Sequence, residues 1–238
     1  ALIMGFGGAF ISLLISKPVA KWSSGVQVIA QASNADEKWL VDTVKKLSDK
    51  AGIGMPEVGI FEGDPNAFAT GAFKNSALVA VSTGLLQNMT HEEIEAVLAH
   101  ELGHAKLKHI PKSLLSSFAF TLVGLAGLGW LSTQTWFFEG LGVQPHLGSA
   151  NDAIALLLFM MFVPLVSFVT KPWQSARSRK YEFEADAFAC QHANSADLRQ
   201  ALLKLYQDNA STLTPDPLYV AFYHSHPPAA QRLARMGA

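Results

Sequence analysis

The chain has 238 residues, of which 50% are hydrophobic and only 16% are charged. Soluble proteins usually carry roughly 25% charged residues, so this composition indicates a membrane-associated chain. The formal net charge of −1 gives no electrostatic basis for binding nucleic acid, and we expect no such partner. Cys190 is the only cysteine, which excludes an internal disulfide and a cysteine-based metal cluster.

Three apolar, uncharged runs predict membrane helices. Residues 1–16 precede Lys17 and Lys21, whereas a signal peptide carries its positive charges before its apolar run. We expect 1–16 to be the remnant of a transmembrane helix, with a buried core helix as the alternative, because about 20 residues are needed to span a bilayer. Residues 113–138 and 153–170 predict two complete transmembrane helices, with two buried helices of a soluble core as the alternative.

The basic residues around these runs predict how they cross the membrane. Lysine and arginine precede the run 113–138 and follow the run 153–170, but the loop 139–152 between them contains neither. The positive-inside rule then places both basic flanks in the cytoplasm and the loop across the membrane. We therefore expect a multi-pass protein, in the inner membrane of a bacterium, whose functional site faces the cytoplasm.

The other segments, 17–112 and 171–238, predict the two parts of a mixed α and β domain. Thr90 and Glu93 form a capping box, and the helix that begins there is expected to run to about Lys108, before Pro111. Apolar spacing and β-rich composition predict the other elements: a helix over 37–50, strands at 58–61, 66–71 and 77–82, and a turn at Lys74-Asn75.

The sequence His-Glu-Leu-Gly-His at 100–104 lies within that capped helix. Two histidines four residues apart share one helical face and can hold one zinc ion, with Glu101 beside it. A catalytic zinc needs three protein ligands and one open position. His109 is five residues beyond His104 and points away from His100 on a continuous helix, so we expect it at the membrane surface or near a helix end rather than at the metal.

A third ligand is predicted just after the second complete apolar run. Glu182 and Asp186 share one helical face with Ala185 and Ala189, which are small enough to admit a partner helix, while Glu184 is expected to be solvated. We predict Glu182 as the zinc ligand and Asp186 as the partner of the outer nitrogen of a zinc-bound histidine. The alternative is an acidic cluster on a helix surface.

These two motifs together resemble the HtpX and CAAX prenyl endopeptidase family of membrane zinc metalloproteases. The stretches from Met4 to Gly8, Asn66 to Gly71 and Leu78 to Gly84 are most similar to HtpX. The stretches 100–109, 178–182 and 222–228 look more like the prenyl endopeptidase branch; Lys106-Leu-Lys108 stands where HtpX usually has Asn-Gly-Asp. The resemblance implies an α+β membrane protein: a mostly helical, zincin-type metalloprotease domain with a small β-sheet, interrupted between its zinc motifs by a transmembrane helical hairpin.

The resemblance also implies the roles of individual residues. His100, His104 and Glu182 would hold one Zn2+ per chain, and Glu101 would be the catalytic base. His226 and Arg232 match an element that stabilises the reacting carbonyl; the alternative is that Pro227-Pro228 simply starts a helix with Arg232 on its surface. Substrate is expected to add as a strand to a sheet edge formed by residues from either of two predicted strands: Asn66, Ala67 and Phe68, or Ala77 and Val79.

The expected function is a zinc endopeptidase that degrades damaged or misfolded membrane proteins. Its partners would be protein or peptide substrates and the lipid bilayer, and the oligomeric state is unknown. One alternative is a processing protease of the CAAX prenyl endopeptidase type. Another is a membrane scaffold that binds zinc without catalysis, although Glu101 argues against it because a structural site more often has four protein ligands.

Overall fold

Helices form most of the chain in the computed structural model, which describes residues 2–71, 77–146, 151–208 and 212–237. The helices are α1 (Leu2–Ser24), α2 (Ala35–Ala51), α3 (Thr83–Asn88), α4 (His91–Lys106), α5 (His109–Leu131), α6 (Thr135–Gly140), α7 (Asp152–His192), α8 (Ser195–Asp208), α9 (Pro217–Tyr223) and α10 (Ala229–Met236). The strands are β1 (Gln27–Val28), β2 (Glu57–Phe61), β3 (Ala67–Thr70) and β4 (Leu78–Ser82).

The strands form one small sheet in the order β1-β2-β4-β3, in which β2 and β4 are parallel and the outer pairs are antiparallel. The three predicted strands are confirmed, whereas β1 was not predicted, and the predicted turn at Lys74-Asn75 lies outside the described residues. Since β4 is hydrogen-bonded on both sides, the prediction that Ala77 to Ser82 offers an edge to substrate is wrong. Val79 is 1% exposed inside the sheet, which leaves β3 as the edge strand on that side.

The core lies between the sheet and helices α2, α4 and α8. Helix α2 begins where the Asn34 side chain accepts a hydrogen bond from the Glu37 N–H and ends at Gly52, whose φ of 60° suits a glycine. Its buried face includes Leu40 and Val44, both 0% exposed. The predicted capping box at Thr90 and Glu93 is confirmed at the start of α4, so the zinc motif stands on a well-anchored helix.

Helix α4 ends two residues earlier than expected. Lys108 has a φ of 57°, in the left-handed region, and a new helix begins at His109. A non-glycine residue there costs roughly 1 kcal/mol, so the surrounding contacts must favour this turn. The break overturns the assumption of a continuous helix through His109 and redirects the chain towards α7.

Within the part of the chain that the structure describes, two helices, α5 and α7, are long and apolar enough to cross a membrane, and their apolar segments are largely unburied. The predicted span 113–138 is shorter in the structure, because α5 ends at Leu131. The hydroxyls of Ser132 and Thr133 donate to the carbonyls of Gly129 and Trp130, which marks the end of the helix. The rest of the predicted span includes α6, whose Phe137 and Phe138 belong to a buried cluster with Ala155 and Leu158.

Helix α7 continues without a break from the second apolar run into the acidic motif. Its 41 residues give a length of about 60 Å, twice the roughly 30 Å of a bilayer core. Residues 153–170 and Glu182 therefore belong to one element, and the predicted boundary at 170 does not interrupt the helix. Helix α1 also extends beyond the predicted residue 16, and its Lys17 pairs with Glu57 of β2 at 2.7 Å.

Candidate metal centre and active site

Three donor groups meet where α4 packs against α7. The Nε2 atoms of His100 and His104 are 3.2 Å apart, and the carboxylate of Glu182 lies 3.5 Å from the first and 3.4 Å from the second. One donor atom from each of these residues lies within 4.8 Å of the other two. Two imidazoles and one carboxylate at this separation fit a zinc site with an open fourth position.

Small residues let the two helices approach closely. Ala185 and Ala189 of α7 are 0% and 1% exposed, as expected for a helix face that meets a partner. From α4, Gly103 lies against the ring of Phe188; a methyl group added at Gly103 would be only 3.0 Å from it. The lack of side chains at these positions brings the two histidines within reach of Glu182.

Asp186 contacts the outer nitrogen of His100. His100 Nδ1 is 2.9 Å from Asp186 Oδ1, as an ion pair rather than a well-aligned hydrogen bond. Arg232 of α10 donates to the same carboxylate through Nε at 2.8 Å and Nη2 at 2.6 Å. Arg232 is only 7% exposed, so the alternative that places it on a helix surface is wrong, as is the alternative of a surface acidic cluster for Glu182 and Asp186.

The charges in this cluster shift one another's pKa values. Burial alone would lower the pKa of His100, but its contacts with Asp186 and Glu182 outweigh burial and raise the pKa to about 9. Burial would raise the pKa of both carboxyls, yet bonding to His100 for Glu182, and to Arg232 and His100 for Asp186, lowers each to about 2. Burial and the neighbouring His100 lower the pKa of His104 to about 4. Without a metal, the positive charges of protonated His100 and of Arg232 together compensate the two carboxylates.

Glu101 lies beside the three donors and is not one of them. Its Oε2 accepts a hydrogen bond from the Ala69 N–H of β3 at 3.1 Å, which ties the edge strand to the site. Burial, with Glu182 adding to it, raises the pKa of Glu101 despite the opposing charge of His100. A carboxyl with a raised pKa at the edge of a metal site suits proton transfer.

These groups open into a cleft of about 1020 Å³. Its walls include Asn66 and Ala67 at the β3 edge and His226 on the opposite side, whose Nε2 lies 3.7 Å from Glu182 Oε1. The His226 side chain is 67% exposed. Of the other residues predicted to bind substrate, Phe68 packs against Phe61, while Ala77 and Val79 line a separate cavity of about 570 Å³ that also touches His104.

Two residues near the site make a contact that the sequence did not predict. His109 starts α5, in agreement with the expected position near a helix end, but it is 3% exposed and its Nδ1 lies 3.0 Å from Nδ1 of His104. Glu184, expected to be solvated, has a side chain that is 34% exposed and lies 3.0 Å from the other ring nitrogen of His109. The left-handed turn at Lys108 produces this arrangement, and the only signal in the sequence was the recurrence of histidine at 104 and 109.

Two contacts beside the cleft, one made by Tyr206 and one by Ala69, were not predicted. The Tyr206 hydroxyl donates to the carbonyl of Pro227 at 2.9 Å, and this contact anchors the segment next to His226. Ala69 acts through its backbone N–H. The sequence carries no signal for either contact, because one joins residues that are distant along the chain and the other involves no side chain of Ala69.

Comparison with known proteins agrees with this arrangement. Residues 34–238 match the model of peptidase family M48. The chain is 45% identical to the "Protease HtpX homolog" of Polaromonas naphthalenivorans (strain CJ2), over 99% of this chain and 83% of that protein. It is 75% identical to the "Protease HtpX homolog" of Verminephrobacter eiseniae (strain EF01-2), over 79% of this chain and 64% of that protein.

The fold is also similar to a solved structure. The crystal structure of S. mikatae Ste24p superposes with a TM-score of 0.79 at 24% sequence identity, covering 96% of this chain and 57% of that one. At this identity, the likeness concerns the fold alone. The family match and the curated relatives carry the conclusion: the chain belongs to peptidase family M48 and is a membrane-associated metalloprotease.

Proposed function

We propose that this metalloprotease is a membrane-bound zinc endopeptidase in which His100, His104 and Glu182 hold the metal. The observation that carries the proposal is that these three donors lie together, while His100, Glu101 and Glu182 line one open cleft. Their number and type match catalytic zinc sites, which keep one position free of protein ligands. When bound, zinc supplies Lewis acidity that favours attack of water on a peptide carbonyl.

Glu101 is the proposed general base. Its raised pKa, caused first by burial, makes it a better proton acceptor than an ordinary glutamate. It takes a proton from the attacking water and later delivers that proton to the leaving amine. The Ala69 N–H holds one of its oxygens at the strand edge where the peptide bond would lie.

His226 and Arg232 have different proposed roles on the far side of the cleft. His226 is exposed, and with its Nδ1 bonded to Ser225 its Nε2 faces the cleft, so it is placed to donate a hydrogen bond to the carbonyl oxygen of a bound peptide. Two nitrogens of Arg232 are already bound by Asp186. Its contribution to the carbonyl is therefore mainly indirect, through the positions of Asp186 and Glu182.

The edge of β3 is the proposed substrate-binding element. Asn66 pairs with Ser82, so the alternate residues Ala67 and Ala69 direct their backbone groups away from β4. The contact of the Ala69 N–H with Glu101 agrees with this direction. An extended peptide would add here as a strand, with its backbone recognised more than its side chains.

The proposed substrates are damaged or misfolded membrane proteins, cleaved on the cytoplasmic side of a bacterial inner membrane. Helix α7 supports this because the apolar run 153–170 leads directly into the segment that carries Glu182. The basic residues outside the two apolar helices support a cytoplasmic site. A processing protease of the prenyl endopeptidase type is the second candidate, favoured by the similarity of 100–109 and 222–228 to that branch.

A cleavage assay in detergent with zinc restored distinguishes these candidates. An unstructured protein and a farnesylated C-terminal peptide are offered separately, each with Glu101→Gln as the control. Cleavage of the unstructured protein, lost in Glu101→Gln, is the result expected for quality control. Cleavage of the farnesylated peptide alone would favour processing, and zinc binding with no cleavage of either would favour the scaffold.

A further inference from the structure

The outer nitrogen of His104 has a partner of its own. Its Nε2 faces Glu182 at 3.4 Å, while its Nδ1 lies 3.0 Å from Nδ1 of His109. The other nitrogen of His109 lies 3.0 Å from Oε2 of Glu184. Each of the two histidines proposed to bind zinc thus has a partner at its outer nitrogen. For His100 the partner is Asp186, and for His104 it is His109, which in turn contacts Glu184.

The chemistry of the imidazole ring determines which nitrogen carries the hydrogen in His104 and in His109. A metal at His104 Nε2 requires a neutral ring with its hydrogen on Nδ1, which must then donate to His109. The Nδ1 of His109 is therefore the acceptor, and its hydrogen resides on Nε2. That N–H donates to the carboxylate of Glu184. One tautomer of each histidine therefore allows all the hydrogen bonds from the metal position through His104 and His109 to Glu184.

His109 is held firmly in this position. Its ring stacks on the ring of Tyr181 of α7, with the centroids 4.3 Å apart and an angle of 9° between the ring planes. The side chain is 4% exposed. The left-handed turn at Lys108 brings the first residue of α5 back beside His104, so the strained residue and the buried histidine serve the same contact.

We propose that His109 and Glu184 form a positioning pair that fixes the tautomer and orientation of His104 for zinc. The inference rests on the proposed zinc site and adds residues that do not touch the metal or the substrate. Outer partners of metal-bound histidines typically change metal affinity by about 10–100-fold. The pair should therefore be visible in zinc affinity itself, independently of cleavage.

Two substitutions at one position separate positioning from packing. His109→Phe keeps a ring on Tyr181 but has no acceptor, and we expect zinc affinity to fall by about 10–100-fold. His109→Asn loses the ring but places a carbonyl oxygen near the position of Nδ1, and we expect it to restore most of the affinity. Glu184→Ala should weaken binding to an intermediate extent, and Lys180→Ala, which removes only an exposed partner of Glu184, should change little.

Affinity is measured by competition with a chelator on the whole chain in detergent. Nitrogen NMR of the metal-free protein adds a second readout: the His104 hydrogen should reside on Nδ1 in the wild type and lose this preference in His109→Phe. If His109→Phe retains zinc affinity and His109→Asn loses it, the role of His109 is packing and the proposal is overturned. If the wild type binds no zinc, the proposed function itself is overturned. If the wild type binds zinc and both His109 variants bind it equally well, only the inference about His109 and Glu184 is overturned.

Discussion

Arg232 of α10 makes a bidentate pair of hydrogen bonds to Asp186 of α7, from Nε at 2.8 Å and from Nη2 at 2.6 Å. The third nitrogen of Arg232 lies 3.8 Å from Glu182. One buried cation therefore serves both the proposed zinc ligand and the carboxylate behind His100. The C-terminal helix, which contributes no metal ligand, is in this way part of the metal centre.

Removing Arg232 should destabilise the protein. Arg232→Ala leaves two buried carboxylates short of a cation, and the loss of one partner of a buried ion pair costs about 3–5 kcal/mol. Arg232→Lys should recover only part of this, because an ammonium group cannot make both contacts. Urea unfolding of the metal-free protein in detergent measures the loss. The matched control is Arg235→Ala, an exposed arginine over the ring of Phe183, which should cost about 1 kcal/mol or less; equal losses for Arg232 and Arg235 would contradict the account.

Zinc uptake should release a proton from His100. Because its pKa in the metal-free protein is raised to about 9, His100 is protonated at pH 7, whereas His104, with a pKa of about 4, is already neutral. Zinc affinity should therefore rise about tenfold per pH unit between roughly pH 5 and 9, with one proton released per metal. By the same sign, the proton on His100 stabilises the metal-free protein at pH values below about 6.5, and this contribution disappears as pH rises through about 9.

Calorimetry in buffers of different ionisation enthalpy counts that proton. Asp186→Asn removes a carboxylate that raises the pKa of His100, and it should reduce the number of protons released at pH 7. Zero proton release in the wild type would show that His100 is not protonated before zinc binds. Proton release that is unchanged in Asp186→Asn would show that Asp186 does not hold that proton in place.

The contact between Gly103 and Phe188 should control the spacing of the metal ligands. Gly103→Val adds bulk where even a methyl group would lie 3.0 Å from the ring. Overpacking of this kind costs about 1–3 kcal/mol and should move α4 away from α7, which weakens zinc binding. Gly103→Ala is the milder case, since better helix propensity offsets about 1 kcal/mol. Combining Gly103→Val with Phe188→Leu should restore affinity, and a double variant that binds no better than Gly103→Val would count against this packing.

Peptide cleavage should depend more on the backbone N–H of Ala67 than on its side chain. Ala67→Pro removes an N–H that points away from β4, so the sheet and the metal site should persist while peptide cleavage falls. The loss of one hydrogen bond, about 0.5–1.5 kcal/mol, corresponds to a decrease in kcat/KM of roughly 2–12-fold. Ala67→Val keeps the N–H and is the control for added size. Cleavage that falls equally in both variants would point to steric hindrance in the cleft instead of strand addition.

The sequence was sufficient where local spacing determines the geometry. The four-residue spacing of His100 and His104, and the same spacing of Glu182 and Asp186, place each pair on one helical face, and the capping box at Thr90 locates the start of α4. These signals depend only on neighbours along one helix. They predicted the residues that the structure brings together at the metal centre.

The failures concern contacts that depend on tertiary structure. The position of His109 depends on a left-handed turn at Lys108, and lysine has no preference for the left-handed region that would indicate such a turn from the sequence. The sheet order, which buries β4 and exposes the edge of β3, arises from pairing between distant segments. The early end of α5 and the unbroken course of α7 past Pro164 and Pro172 likewise could not be read from apolar composition, which defines a run but not its helical limits.

The central claim is that His100, His104 and Glu182 bind zinc and that Glu101 acts on the substrate without binding the metal. Its most direct test is to measure zinc content and peptide cleavage in parallel for the wild type, Glu101→Gln, His104→Ala and Glu182→Ala. We predict about one zinc per chain in the wild type and in Glu101→Gln, with cleavage only in the wild type, and depleted zinc in the two ligand variants. Full zinc retention in Glu182→Ala, or wild-type cleavage by Glu101→Gln, would contradict the claim.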